Sequence, residues 1–220
     1  MDQAVLLEGL IQFLGFIGFV ALHEFAHAWM AVRCGDDTPR LQGRLTLDPI
    51  AHIDWVGTIL LPLVLVFMGA ASGHVMLMGW GKPVQVNLAN FRKRQRDDIL
   101  VSVAGPAMNL LIAILMLLAM RLASLAGMTF FEDSSFFALT HLSLFLCFFN
   151  LLPIPPLDGG HILRQFLNIS DAAYHQISQY SFLFIVLVMR SNTVGTLLTA
   201  FTNNVLIGMG SLIGWQLYRF

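Results

Sequence analysis

The chain has 220 residues, 57% of them hydrophobic and only 11% charged, with a formal net charge of −1. An ordinary soluble domain carries about 25% charged residues, so this composition points to a membrane protein and argues against the basic footprint of a general nucleic-acid binder. The length fits one compact unit, a single integral membrane domain over 1–220, with a core over 5–167 and C-terminal helices over 173–218.

A bilayer-crossing helix needs about 20 mostly apolar residues. Residues 9–32 meet this requirement except at His23, Glu24 and His27. No Lys or Arg precedes Arg33, so this segment lacks the basic region of a signal peptide and is expected to stay as a span. Residues 56–78 are apolar but interrupted by Pro62, Gly69, Gly73 and His74. The loop before them holds Arg33, Arg40 and Arg44, and the loop after them Lys82, Arg92, Lys93, Arg94 and Arg96. Cytoplasmic loops collect such residues. Both flanks therefore read as cytoplasmic, with a helix going in and an extended stretch over about 74–86 coming back. Non-helical backbone at that depth is tolerated only where protein or a watery cavity covers it.

Residues 99–120 form a charge-free span, and 136–157 a further one carrying His141 and Asn150. A short apolar stretch at 180–189 and a fuller one at 193–218 follow. The expected fold is an all-α polytopic membrane protein with about five to six transmembrane helices and a re-entrant helix/strand segment. The same charge rule puts the N-terminus outside, the weakly charged 121–135 loop with Glu132 and Asp133 outside, and the end of 136–157 near the cytoplasmic face. The run Arg92 to Arg96 with Asp97 and Asp98 reads as an interfacial stop signal. Cys34 and Cys147 form no CxxC pair and read as buried small hydrophobes.

The sharpest motif is His23-Glu24-Phe25-Ala26-His27. On a helix, i and i+4 share a face, so two imidazoles can grip one metal ion while the intervening Glu serves as general base. Ionisable groups inside an uncharged apolar run are costly in lipid and mark function by default. Zinc needs a third protein ligand with a position left for water. By type, His52, His74, His141, His161, His175, Asp54 and Asp158 qualify. Context favours Asp158, which follows a long apolar helix in Asn150-Leu-Leu-Pro-Ile-Pro-Pro-Leu-Asp158-Gly159-Gly160. Its prolines end the helix and its glycines allow a tight turn. Charge agrees: zinc with two neutral histidines and one carboxylate carries +1, so losing a proton from its water leaves a neutral site in a low-dielectric setting. Glu24 would take that proton and hand it to the leaving amine.

With these residues in view, the sequence resembles the site-2 protease family of intramembrane zinc metalloproteases. Three motifs carry the likeness in order: HEFAH at 23–27, Gly105-Pro106-Ala107-Met108-Asn109, and the stretch from Asn150 to Gly160. The resemblance implies one Zn²⁺ per chain on His23, His27 and Asp158, with Glu24 catalytic. Gly43-Arg44-Leu45-Thr46-Leu47-Asp48-Pro49, His52-Ile53-Asp54 and Gly79-Trp80-Gly81-Lys82-Pro83-Val84 are similar to a compact prokaryotic branch without PDZ or CBS domains. It also implies that a strand-like segment, here 80–86, pairs with an unwound substrate helix. The expected activity is an intramembrane endopeptidase in a prokaryotic inner membrane. Its site would lie toward the cytoplasm, and its partners would be a transmembrane protein or peptide substrate and the lipid bilayer.

Four further residues are candidate substrate contacts. Asn109 and Asn150 are amides within apolar helices that could bind substrate backbone, or else make interhelical hydrogen bonds. His52 and Lys82 could position substrate or stabilise charge, or else be held by the loops at the cytoplasmic face. Rival readings of the whole chain are a membrane metal-ion transporter and an inactive membrane scaffold.

Overall fold

The computed structural model describes residues 2–73, 77–128, 134–190 and 192–215, and of Ser134, residues 181–190 and Asn192 the backbone alone. His74, Glu132 and Asp133 lie outside the described residues. All regular structure among those described is helical. Helix α1, Gln3–Cys34, starts at Asp2, whose side chain accepts the Ala4 N–H, and ends at Gly35 with φ 110°, a left-handed cap that favours glycine. The four-residue α2, Thr38–Leu41, follows. A 3-10 turn at Pro49–His52 is capped by the Asp48 side chain, and a π-helical turn at Trp55–Leu60 by that of Asp54. The second turn runs directly into α3, Leu61–Ser72, with Pro62 at the junction.

Residues 77–87 then run back antiparallel to 52–62. Trp80 N–H donates to the Gly57 carbonyl at 3.1 Å and Lys82 N–H to the His52 carbonyl at 2.9 Å. They form no strand ladder. Helix α4, Arg94–Leu125, contains Pro106 and is the hub of the fold. It packs on α1, on α5 (Ser134–Asn150) and on α6 (Asp158–Phe166). The last two helices are α7, Asp171–Arg190, and α8, Asn192–Leu212, with α8 lying on α5.

The core forms where α1, α4 and α5 meet. Phe16, Phe19, Val20 and Leu142 are buried there against Ile112, Met116 and Leu77. Ala113, Leu117, Leu144 and Leu206 join α4, α5 and α8. Small polar residues sit at the same contacts: Ser143 Oγ donates to the Asn109 carbonyl at 2.8 Å, a packing habit of helices in lipid.

Among the described residues, three helices are long and apolar enough to cross a membrane: Gln3–Cys34, Trp55–Ser72 and Arg94–Leu125. Ser135–Asn150 is apolar but shorter. The expected 136–157 span thus stops early, since Pro153, Pro155 and Pro156 supply no N–H to carry the helix on. At the other end of the hub, α4 begins at Arg94 rather than 99. Its Asp97 and Asp98 are buried, while Arg92 to Arg96 are exposed, so the two acids are built into the protein and the basic residues face outward.

Candidate metal centre

His23 and His27 lie one turn apart on α1, both buried. Their Nε2 atoms stand 3.0 Å from each other. Asp158 completes the group: Oδ2 is 3.2 Å from His23 Nε2 and Oδ1 is 3.3 Å from His27 Nε2. One ligand atom from each of the three falls within 4.8 Å of the others.

Two close approaches make this convergence possible. A Cβ at Gly159 would stand 2.3 Å from the carbonyl oxygens of Leu151 and Leu152. The 151–157 turn can therefore fold closely against the start of α6, whose first residue is Asp158. On the opposite side, α4 passes the histidines at Gly105, where a Cβ would stand 2.3 Å from His27 Nε2 and 2.6 Å from His23 Nε2. Any larger residue would occupy the space between the ligands.

The hydrogen bonds behind the rings fix what the rings present. His27 Nδ1 lies 2.7 Å from the Val101 carbonyl, which only accepts, so Nδ1 carries the proton and a neutral ring turns its Nε2 lone pair inward. His23 Nδ1 lies 3.2 Å from the Asn109 amide nitrogen, while Asn109 Oδ1 is buried without a partner. Turning that amide by 180° pairs Oδ1 with a proton on His23 Nδ1 and satisfies both groups. Both Nε2 atoms then face the Asp158 carboxylate, whose Oδ2 is buried. A cation among them would draw the three groups together. Two nitrogens and one carboxylate oxygen, with room for water, is a donor set that suits zinc.

Glu24 is half-buried beside this group, and its Oε2 accepts the backbone N–H of Val84 at 2.9 Å. A buried ion pair, Arg164 to Asp98 at 3.3 Å, ties α6 to α4. The Arg164 guanidinium also covers the Tyr174 ring, 5.1 Å from its centroid. In the loop after α1, Asp36 is fully buried and accepts from Thr38 N–H and Oγ, Asn87 N–H and Asn90 Nδ2. Burial alone would raise its pKa, but these bonds outweigh it and hold the carboxyl below its ordinary value.

Among the described candidates for third ligand, Asp158 is the one brought to the histidine pair. His52 is buried with Nε2 on the Thr46 carbonyl at 2.9 Å, His161 rests against Tyr174, and Asp54 caps a helical turn. Asn109 lies behind His23 with 1% exposure. Asn150 gives its amide to Leu146 of its own helix at 2.9 Å. Lys82 is exposed beside a cavity of about 550 Å³. The close approach of α4 at Gly105 agrees with reading Gly105-Pro106 as a packing site near the metal. Two features were not legible beforehand, the Val84 N–H on Glu24 and a buried Arg44. The signal for the last was there, an arginine inside the Gly43–Pro49 motif.

Comparison with known proteins adds an independent line. The profile described as Peptidase family M50 matches residues 11–136 and 125–189. The chain is 41% identical over 150 residues to "Putative zinc metalloprotease YwhC" of Bacillus subtilis, covering 66% of this chain and 63% of that protein. It is 31% identical over 177 residues to "Putative zinc metalloprotease Rip2" of Mycolicibacterium smegmatis, 80% of this chain and 64% of that one. The Rip2 of Mycobacterium tuberculosis is 33% identical over 188 residues, 82% of this chain and 66% of that protein. The match thus spans just under two thirds of the length of these curated relatives. No solved structure matches.

Proposed function

The chain belongs to peptidase family M50, and from that premise we propose that it is a zinc-dependent endopeptidase cutting transmembrane or membrane-associated substrates within the bilayer. One observation carries the reading: His23, His27 and Asp158 bring one ligand atom each within 4.8 Å of the others, and Glu24 adjoins His23 on the same helix. These three residues would hold one Zn²⁺ per chain. When bound, it supplies a Lewis acid for the scissile carbonyl and acidifies the attacking water.

The remaining work falls to the chain's own groups. Glu24 accepts the water's proton and returns it to the leaving amine. The Val84 N–H holds that carboxylate in place. Along 80–84 the bonded groups alternate: Trp80, Lys82 and Val84 turn their N–H groups inward, to Gly57, His52 and Glu24. By strand alternation the backbone groups of Gly81, Pro83 and Gln85 face the other edge. An unwound substrate helix, with its peptide groups bare, would find partners there.

Residues 5–167 form the catalytic core of this reading, in a prokaryotic cell membrane with the N-terminus outside and the site toward the cytoplasm. Glu24→Gln tests it. Zinc content should stay at one per chain while cleavage stops, and membrane proteomes of the two strains should differ by fragments absent from the mutant. A metal transporter would keep its flux in that variant and leave the proteome unchanged, which would overturn the reading.

A further inference from the structure

The motif at 43–54 takes no direct part in the chemistry above, yet several hydrogen bonds join it to the 79–84 segment. Arg44 is buried, 5% exposed. Its Nη1 donates to the Ala51 carbonyl at 2.6 Å, and its Nη2 donates to the Lys82 carbonyl. The Lys82 N–H in turn donates to the His52 carbonyl. His52 Nε2 sits on the Thr46 carbonyl, and Thr46 Oγ accepts the Asp48 N–H at 3.1 Å. Two turns downstream, Thr58 Oγ donates to the Trp80 carbonyl at 2.8 Å. Both polar groups of Trp80 and both of Lys82 are therefore held from the 52–58 side and by Arg44.

A buried guanidinium is costly unless paired. Among the described residues no carboxylate lies at ion-pair distance from Arg44, and its Nε is buried without a partner. Burial pulls its pKa down, and the negative field of Glu24 partly offsets this. The arginine thus spends its charge on two backbone carbonyls, one of them two residues before the amide that holds the catalytic base.

We propose that residues 43–54 form a clamp for the 80–84 segment, with Arg44 as the positioning residue that fixes this segment beside Glu24. The inference rests on the peptidase reading above. Only a planar donor pair spans both carbonyls at once. With the Lys82 carbonyl fixed, strand alternation fixes the direction of the Val84 N–H, and hence the register of the outward edge at Gly81, Pro83 and Gln85.

The test uses the zinc-loaded full chain in detergent, as wild type, R44M and R44K. In R44M, amide exchange of peptides covering 80–86 should accelerate about tenfold or more, while peptides covering 20–28 and the zinc content stay as in wild type. R44K, whose single ammonium reaches one carbonyl at a time, should restore only part of the protection. With β-casein as an unfolded polypeptide probe, R44M should raise KM about tenfold with kcat changed much less, and R44K should fall between. Unchanged exchange at 80–86 in R44M would overturn the clamp. So would acceleration throughout the chain together with loss of zinc, because Arg44 would then serve general folding. Failure of the peptidase reading looks different: wild type and Glu24→Gln would both leave β-casein intact, with the exchange result untouched.

Discussion

Gly105 lies so close to His27 that a methyl group on its Cα would stand 2.3 Å from the ring's Nε2. The space is bounded by α4 backbone and two buried rings, so a side chain there has nowhere to go. Gly105→Ala should lower zinc affinity by at least about tenfold, while the rest of α4 stays helical by circular dichroism. Competition with a chelator of known affinity measures it, and wild-type affinity in the variant would show that the rings shift freely.

Asn109 should act on the metal through His23. Removing its carbonyl oxygen with Asn109→Leu leaves the His23 Nδ1 proton buried and unpaired, and zinc affinity should drop about 10- to 100-fold. Asn109→Asp keeps an acceptor and should retain most of the affinity. If Asn109 instead contacts substrate, Asn109→Leu will raise KM and leave zinc binding alone.

The Arg164–Asp98 pair should reveal itself by what is left when half is removed. Arg164→Met strands a carboxylate that is 6% exposed, a loss of about 3–5 kcal/mol in stability. The double variant Arg164→Met with Asp98→Leu should recover much of it. Thermal unfolding in detergent, compared across the cycle, gives the coupling.

Asp36 should make one loop junction acid-sensitive. Its folded pKa lies below the unfolded value of about 3.9, so its contribution to stability is present above that pH and is lost as pH falls through the folded value. Between pH 7 and 5 the exchange of amides near Asn87 and Asn90 should follow only the intrinsic chemical rate. Below about 4 their protection should fall in wild type and already be absent in Asp36→Ala.

Val84→Pro removes the one N–H that Glu24 is seen to accept. Cleavage should fall at least about tenfold with zinc retained. Charged residues at Gln85 or Val86 should also depress turnover if an unwound substrate lies along that edge. Full turnover in these variants would remove the segment from the mechanism.

The parts of this site that a reader of the sequence could find are those whose information is local. The His23 and His27 pair is legible because helical geometry alone puts positions i and i+4 side by side. Asp158 is legible because three prolines and two glycines announce a break beside it. What escaped depends on distant partners. Arg44 reaches a carbonyl 38 positions away, and Asp98 finds Arg164 after 66. Helix ends failed for a related reason: hydropathy runs straight through 151–157, while the prolines there end the hydrogen-bond ladder at Asn150. Asp98 looked like part of a boundary because its buried partner, Arg164, lies on another helix.

The ligand set is divided along the chain, with two members on the first helix and the third arriving more than half the chain's length later. During synthesis, α1 enters the membrane carrying an incomplete set. Only when α5 has been inserted and the proline turn has folded back can Asp158 reach the pair. The candidate metal group therefore stays incomplete until most of the chain has left the ribosome, whatever has already folded.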